Sequence, residues 1–240
     1  MSKPIRWACG VTTVSSRAST TLPQTMHSLC DAGFEEVRLF VDGCDDPTPF
    51  NVFGCPITVR PSPPLRIVGN FMLALAELYV RDPRATRFAI FQDDVICLKN
   101  LRQFLTKSPY PKSGYLNLYT YPVNYQHIQG SKVPRGWYQS NQRGLGALGL
   151  VFDRDAMLAL LGAGHMIRKP MDADNKRSWK ALDGGIVSSM KNAGFREYVH
   201  TTSLVQHIGN GDSTLGNVRP QYQEPTPHFP GPQFDAMELL

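Results

Sequence analysis

Residues 87–96 read RFAIFQDDVI, a short apolar run that closes on two adjacent carboxylates, Asp93 and Asp94. A nearly continuous apolar run of this length, bounded by charge, fits a strand covered on both faces of a parallel sheet. Three earlier segments have the same character: WACGVTTV at 7–14, VRLFV at 37–41 ending on Asp42-Gly43, and ITV at 57–59. Helical signals separate them. Thr21 stands as N-cap, with Pro23 in the first turn, Leu22, Met26, Leu29 and Cys30 on one face, and Gly33 as the stop. Leu65, Val68, Phe71, Met72, Leu75 and Leu78 then recur at helical spacing up to Val80. Strand, helix, strand, strand, helix, strand in that order predicts an α/β chain with a Rossmann-like, doubly wound, mostly parallel sheet.

The second half is less regular. A strand is expected at 115–121, then a long polar and aromatic loop at 122–143, a length usually found in functional or mobile loops. GLGALGLVF at 144–152 reads as a buried strand, followed by an Asp153-capped helix ending at Gly162 and Gly164. Asp183 opens a further helix that stops at Gly194, and five prolines from residue 220 onward predict an extended tail.

Of the 240 residues, 42% are hydrophobic and 19% charged, which excludes disorder for the bulk of the chain and any fibrous repeat. No run reaches the roughly 18 apolar residues of a membrane span; the best candidate, 67–80, is interrupted by Asn70 and Glu77. The first residues lack the long apolar stretch of a secretory signal, so a soluble, cytoplasmic protein is expected (host cytoplasm, if viral). Twenty-five Lys and Arg against twenty Asp and Glu leave a net charge of +5, a mild preference for anionic partners. The five cysteines are widely spaced without a C-x-x-C pair, which argues against a disulfide framework or a Cys zinc site and for reduced, mostly buried thiols.

Open α/β sheets bind ligands at the carboxyl ends of their strands. Asp42 lies at such an end, as do Asp93 and Asp94. Adjacent carboxylates on a strand point to opposite sides, so one can hold a metal while the other takes a hydroxyl; the plainer account is a polar strand-to-helix turn. His207, in SLVQHIG at 203–209, is either a ligand or a satisfied core histidine. Asp183 is either an N-cap or a general base in a cleft. Hard oxygen donors with one imidazole suit Mn²⁺ or Mg²⁺ better than zinc.

Taken in this order, the acidic pair, the Asp-led helix and the downstream His resemble a glycosyltransferase of the GT-A fold. The resemblance spans roughly residues 7–217 and is sharpest in FQDDV at 91–95, GLGALGLVFDRDA at 144–156, LDGG at 182–185 and SLVQHIGNGDSTLGN at 203–217. It implies one domain over 1–217, with a nucleotide-binding half (1–100) and an acceptor half (101–217), followed by the Pro-rich tail at 218–240. Asp94 and His207 would hold a divalent cation, Mn²⁺ or Mg²⁺, on the diphosphate of a nucleotide-sugar, most simply a UDP-sugar. Asp93 would take a ribose or sugar hydroxyl. Thr12, Thr13 and Asp42 match the nucleotide pocket, Arg66 and Asn70 would face nucleotide and donor sugar, and Asp183 matches the base of inverting members; retention would need another arrangement. The D-x-D-like motif reads Gln92-Asp93-Asp94, a departure at its first position.

The acceptor is not read directly. Trp137, Tyr138 and Arg143, with the basic stretch at 168–180 that contains Trp179, flank the proposed base and suit either sugar rings or nucleic acid. Two acceptor classes follow: a saccharide or glycolipid, or a hydroxymethylated base in phage-type DNA, which would have to be flipped out of a duplex. A nucleotidyltransferase on a similar fold is the alternative enzyme, but VTTVSSRASTTL at 11–22 contains no Gly and one Arg where a Gly-rich basic loop is expected. A Walker-type ATPase is excluded for lack of G-x-x-x-x-G-K-[ST]. A non-catalytic nucleotide-sugar or nucleic-acid binding module is the remaining reading.

Overall fold

The computed structural model describes residues 4–121, 135–168, 181–209, 226 and 228–240. Among these, strands β1 (Trp7–Val14), β2 (Val37–Asp42), β3 (Ile57–Arg60) and β4 (Arg87–Gln92) pair in parallel in the order β3-β2-β1-β4. Helices α1 (Leu22–Asp31) and α2 (Arg66–Arg81) make the crossovers. The sheet continues through β8 (Gly149–Asp153), β6 (Gly114–Asn117), β9 (Arg196–Thr201) and β7 (Gly136–Gln139). Here the direction is mixed: β8 runs antiparallel to both β4 and β6, β9 is parallel to β6, and β7 is antiparallel to β9.

Strand alternation divides the core between the two faces of the sheet. Val11, Leu39, Ala89, Phe91 and Val151 pack on one side with Leu22 and Leu29 of α1 and with Leu101 and Phe104 of α3 (Leu101–Lys107). Phe40, Phe88, Ile90, Leu150 and Phe152 pack on the other with α2, α4 (Arg154–Leu161) and α6 (Leu182–Asn192), beside the short α5 (Gly164–Arg168).

The run at 87–96 is not one strand. It breaks after Gln92, turns on Asp93-Asp94, and resumes as β5 (Val95–Cys97), which leaves the main sheet to pair antiparallel with β10 (Val205–His207). Side chains of α1 explain the departure. Thr25 Oγ1 accepts from Val95 N at 3.1 Å and Ser28 Oγ from Cys97 N at 2.6 Å, so the helix supplies acceptors to strand amides that would otherwise lack them. The buried face of α1 is therefore Leu22, Thr25, Ser28 and Leu29, while Cys30, expected inside, is exposed. Thr21 has helical dihedrals and makes no side-chain cap bond, in contrast to Asp153, which accepts from Ala156 N at 2.8 Å as an N-cap. All five cysteines are free; Cys9, Cys44 and Cys97 are buried.

The strand expected at 144–152 begins only at Gly149, because Gly144 and Gly146 adopt φ of +69° and +71°, a left-handed conformation incompatible with a strand. Residues 136–139, expected within a long loop, form the edge strand β7. At the C-terminus the described residues fold back rather than extend: Ala236–Leu239 form a 3-10 turn beside α3, Asp235 bridges to Lys99, and Ala236 is fully buried.

Candidate functional site

Three polypeptide turns meet at the carboxyl edge of β1 and β4. The 3-10 turn Ser15–Arg17 follows β1, the acidic turn follows β4, and β10 brings in His207 through its pairing with Val95. Asp93 and Asp94 are both buried, at 9% and 8% exposure, and they face different partners. Asp93 Oδ2 accepts from Thr13 Oγ1 at 2.6 Å. Burial, and then the neighbouring Asp94 charge, push the Asp93 carboxyl well above the usual range; the Thr13 hydroxyl and Arg17 pull the other way. Asp94 Oδ2 lies 3.2 Å from His207 Nε2 and 4.0 Å from Arg17 Nη2. Thr12 Oγ1, one residue along β1, donates to Phe91 O at 3.3 Å.

A divalent cation fits the Asp94–His207 pair on two observations. Among the described residues Asp94 Oδ1 is buried with no hydrogen-bond partner, a costly state for a carboxylate oxygen unless something else binds it. Gly209 passes so close that a Cβ there would stand 2.8 Å from both Asp94 Oδ2 and His207 Nε2, so the absent side chain leaves the pair room for a ligand. Among the described residues no three His, Cys, Asp or Glu side chains gather to hold a metal ion. The pair would thus supply two ligands, one hard oxygen and one imidazole nitrogen.

Asp183 is reached from the other side of β4. Because β8 is antiparallel to β4, with Gly149 opposite Phe91, the loop preceding β8 lies beside the acidic turn. That loop presents its amides to Asp183 in the first turn of α6: Gly146 N donates to Asp183 Oδ2 at 2.8 Å, and Ala147 N–H also bonds the carboxylate. Burial raises the Asp183 pKa, and the Ala147 and Gly146 amides oppose it. Asp183 is not the N-cap of its helix, which is Ala181, although its carboxylate also takes its own backbone N–H in the first turn. Close packing explains the glycines: a Cβ at Gly144 would sit 2.5 Å from Asp183 O, and one at Gly146 would strike the Tyr119 ring.

The other expected residues divide. Asp42 is buried and accepts from Leu65 N at 2.8 Å and Arg66 N at 2.7 Å, so both its oxygens engage the start of α2; burial raises its pKa against those amides. Asn70 is buried, donating to Phe40 O at 3.0 Å and accepting from Arg60 Nε at 3.1 Å. Arg66 is exposed at the same edge, with φ of +65°, a strained conformation for a residue carrying a Cβ. Gln92 Nε2 donates to Ala147 O at 2.8 Å. Trp137 stacks on Phe104 and meets His200 edge-to-face at 5.0 Å, on the sheet face opposite α6. Tyr138 is half-buried on β7, Arg143 is exposed in the turn before the loop, and Trp179 lies outside the described residues.

Sequence reasoning missed Arg17, Gly209, and Glu197 with its partner Asn117. Arg17 is the lone cation of residues 11–22, which was the only signal in the sequence; the structure buries it at 5% exposure. Glu197 shares a buried face with Val199 on β9, an inward position that a carboxylate seldom takes.

No protein-family model matches the sequence, and no curated protein sequence does. Solved structures do resemble it. S. aureus TarS superposes with a TM-score of 0.50 at 14% identity, over 81% of this chain and 35% of TarS. A second is described as mannose-1-phosphate geranyltransferase from Thermus thermophilus, with a TM-score of 0.47 at 13% identity, over 82% of this chain and 74% of that one. The chain thus spans about a third of TarS. At such identities the likeness is one of fold, and the fold is the GT-A arrangement anticipated from the motifs. Among the described residues no helix is long and apolar enough to cross a membrane.

Proposed function

We propose that this chain is a metal-dependent glycosyltransferase that moves a sugar from a nucleoside-diphosphate sugar, most simply a UDP-sugar, to an acceptor hydroxyl with inversion. The observation that carries the reading is the buried Asp94 carboxylate, one oxygen without a partner among the described residues and the other facing His207, at the carboxyl edge of the sheet with Gly209 giving it room. Asp94 and His207 would hold Mn²⁺ or Mg²⁺, which when bound neutralises charge on the departing diphosphate. Arg17 adds a fixed positive charge beside Asp94. Asp93, held by Thr13, takes a ribose or sugar hydroxyl. Thr12 lines the nucleotide side, and Asp42 with Asn70 shapes that pocket by anchoring the start of α2, which carries the exposed Arg66.

Asp183 takes the proton of the attacking hydroxyl. Its elevated pKa makes it a better base than an exposed aspartate, while the Gly146 and Ala147 amides keep it ionised and aimed. Arg143, on the turn leading into that loop, faces solvent on the acceptor side. The acceptor is a saccharide or glycolipid, or a hydroxymethylated base of DNA; the net charge of +5 accommodates either.

A thermal-shift screen of UDP, GDP, CMP and TDP and of UDP-sugars, each with Mn²⁺ or EDTA, tests the donor site. Metal-dependent stabilisation by one nucleotide is expected, and Asp94→Ala should abolish it; equal affinity with and without chelator overturns the metal assignment. Asp183→Asn should leave donor binding intact and reduce transfer by about 10²–10⁴-fold. Near-normal turnover would place the base elsewhere.

A further inference from the structure

Gln92 stands where a D-x-D motif has its first acid, and its side chain is already committed. Nε2 donates to Ala147 O at 2.8 Å, and the backbone N–H of the same residue donates to Leu148 O at 2.8 Å. A carbonyl only accepts, so the group facing it must be a donor. An Asp or Glu at this position would set two acceptors against each other in a half-buried site. Ala147 in turn directs its own N–H to Asp183, one residue after Gly146 does so. The loop is held from the far side too: Asn117 Nδ2 donates to Leu145 O and to Glu197 Oε1, each at 3.1 Å. Gly144 and Gly146 pack so closely here that a Cβ at either would strike Asp183 O or the Tyr119 ring.

We propose that Gln92 is a positioning residue for the base: its amide fixes the Ala147 carbonyl so that the Gly146 and Ala147 N–H groups stay aimed at the Asp183 carboxylate. The role given to Asp183 rests on the function proposed above. The departure from an acidic motif then has a reason in this chain, because the Gln92 side chain is a donor that reaches from β4 to the Ala147 carbonyl. It also ties the acidic turn, which follows Gln92 directly, to the element that holds Asp183, so donor site and base keep a constant relation.

The test compares the full chain with Gln92→Glu, which restores an acid to the motif, and Gln92→Met, which keeps the length without a donor and serves if the charged variant does not fold. Amide hydrogen exchange at Gly146 and Ala147, measured without any substrate, should speed up about tenfold in either variant, the effect of losing one hydrogen bond. With donor and acceptor, kcat in Gln92→Met should fall about tenfold, with a smaller change in donor KM. The acid limb of the pH–rate profile should also move to higher pH, as Asp183 loses amides that stabilise its ionised form. Unchanged exchange at both amides overturns the proposal whatever the enzyme does. A gain in activity or metal affinity in Gln92→Glu also overturns it, since that is what a lost metal ligand would give. If the unaltered protein transfers no sugar from any donor, the function proposed above fails, and the exchange data still decide whether Gln92 holds the loop.

Discussion

Glu197 offers a direct measurement of what burial does to a carboxylate in this fold. It is 2% exposed on β9 and accepts from Asn117 Nδ2 at 3.1 Å, from Tyr115 Oη at 3.4 Å and from the Ser140 hydroxyl. Burial pushes its pKa from the ordinary 4.5 up to about 7; the Ser140 and Asn117 hydrogen bonds oppose the rise, and the Asp183 charge adds to it. The folded chain therefore keeps a proton that the unfolded chain releases near pH 4.5, and stability falls as pH climbs through the interval to about 7. At 1.36 kcal/mol per pH unit, that interval is worth about 3 kcal/mol. Glu197→Gln has the same shape, can still accept from Asn117 and Tyr115, and carries no ionisable proton. Urea unfolding of both proteins between pH 4.5 and 7.5 should show the variant gaining on the natural protein by about 3 kcal/mol across the range, fully developed above pH 7. Subtracting one curve from the other removes the buried acids that do not interact with Glu197, which titrate alike in both. A difference that stays flat with pH would refute the reasoning, and one that narrows as pH rises would reverse its sign.

Two further substitutions probe separate parts of the argument. Asp153→Ala removes the acceptor for Ala156 N and should cost about 1 kcal/mol, a drop of about 2–4 °C in Tm for a chain of this size; an unchanged Tm would mean the cap contributes nothing. Gly209→Ala places a methyl 2.8 Å from Asp94 Oδ2 and His207 Nε2 and should weaken Mn²⁺-dependent nucleotide binding about tenfold, while the overpacking costs about 1–3 kcal/mol of stability. Titration calorimetry with and without Mn²⁺ reads this, and equal loss under both conditions would remove the cation from the explanation.

The parallel half of the sheet was legible because each buried strand there is an apolar run ended by a polar or glycine signal, and each crossover helix shows its own period. The acidic pair and His207 were legible as a set, and the fold brings Asp94 and His207 to 3.2 Å. Other features were hidden for identifiable reasons. The break between β4 and β5 depends on hydroxyls of Thr25 and Ser28 some seventy residues earlier in the chain. The glycines at 144 and 146 read as part of an apolar strand, since nothing local shows that Asp183 and Tyr119 press against their Cα atoms. Trp137, expected to suit sugar rings or nucleic acid, packs instead against Phe104 and His200, partners that lie far from it in sequence.

Local chemistry, readable along the chain, dictated the alternation of strands and helices, the fold class and the residue types available for chemistry at strand ends. Which of those side chains face one another was decided only by tertiary structure. Asp42 and Asn70 are engaged in anchoring α2, Arg17 is buried beside Asp94, and Gln92 turns to a carbonyl fifty-five positions away. The reason is physical: a periodic pattern reports which face of an element avoids water, whereas a polar side chain's partner is set by the donor or acceptor that a distant segment leaves unsatisfied beside it.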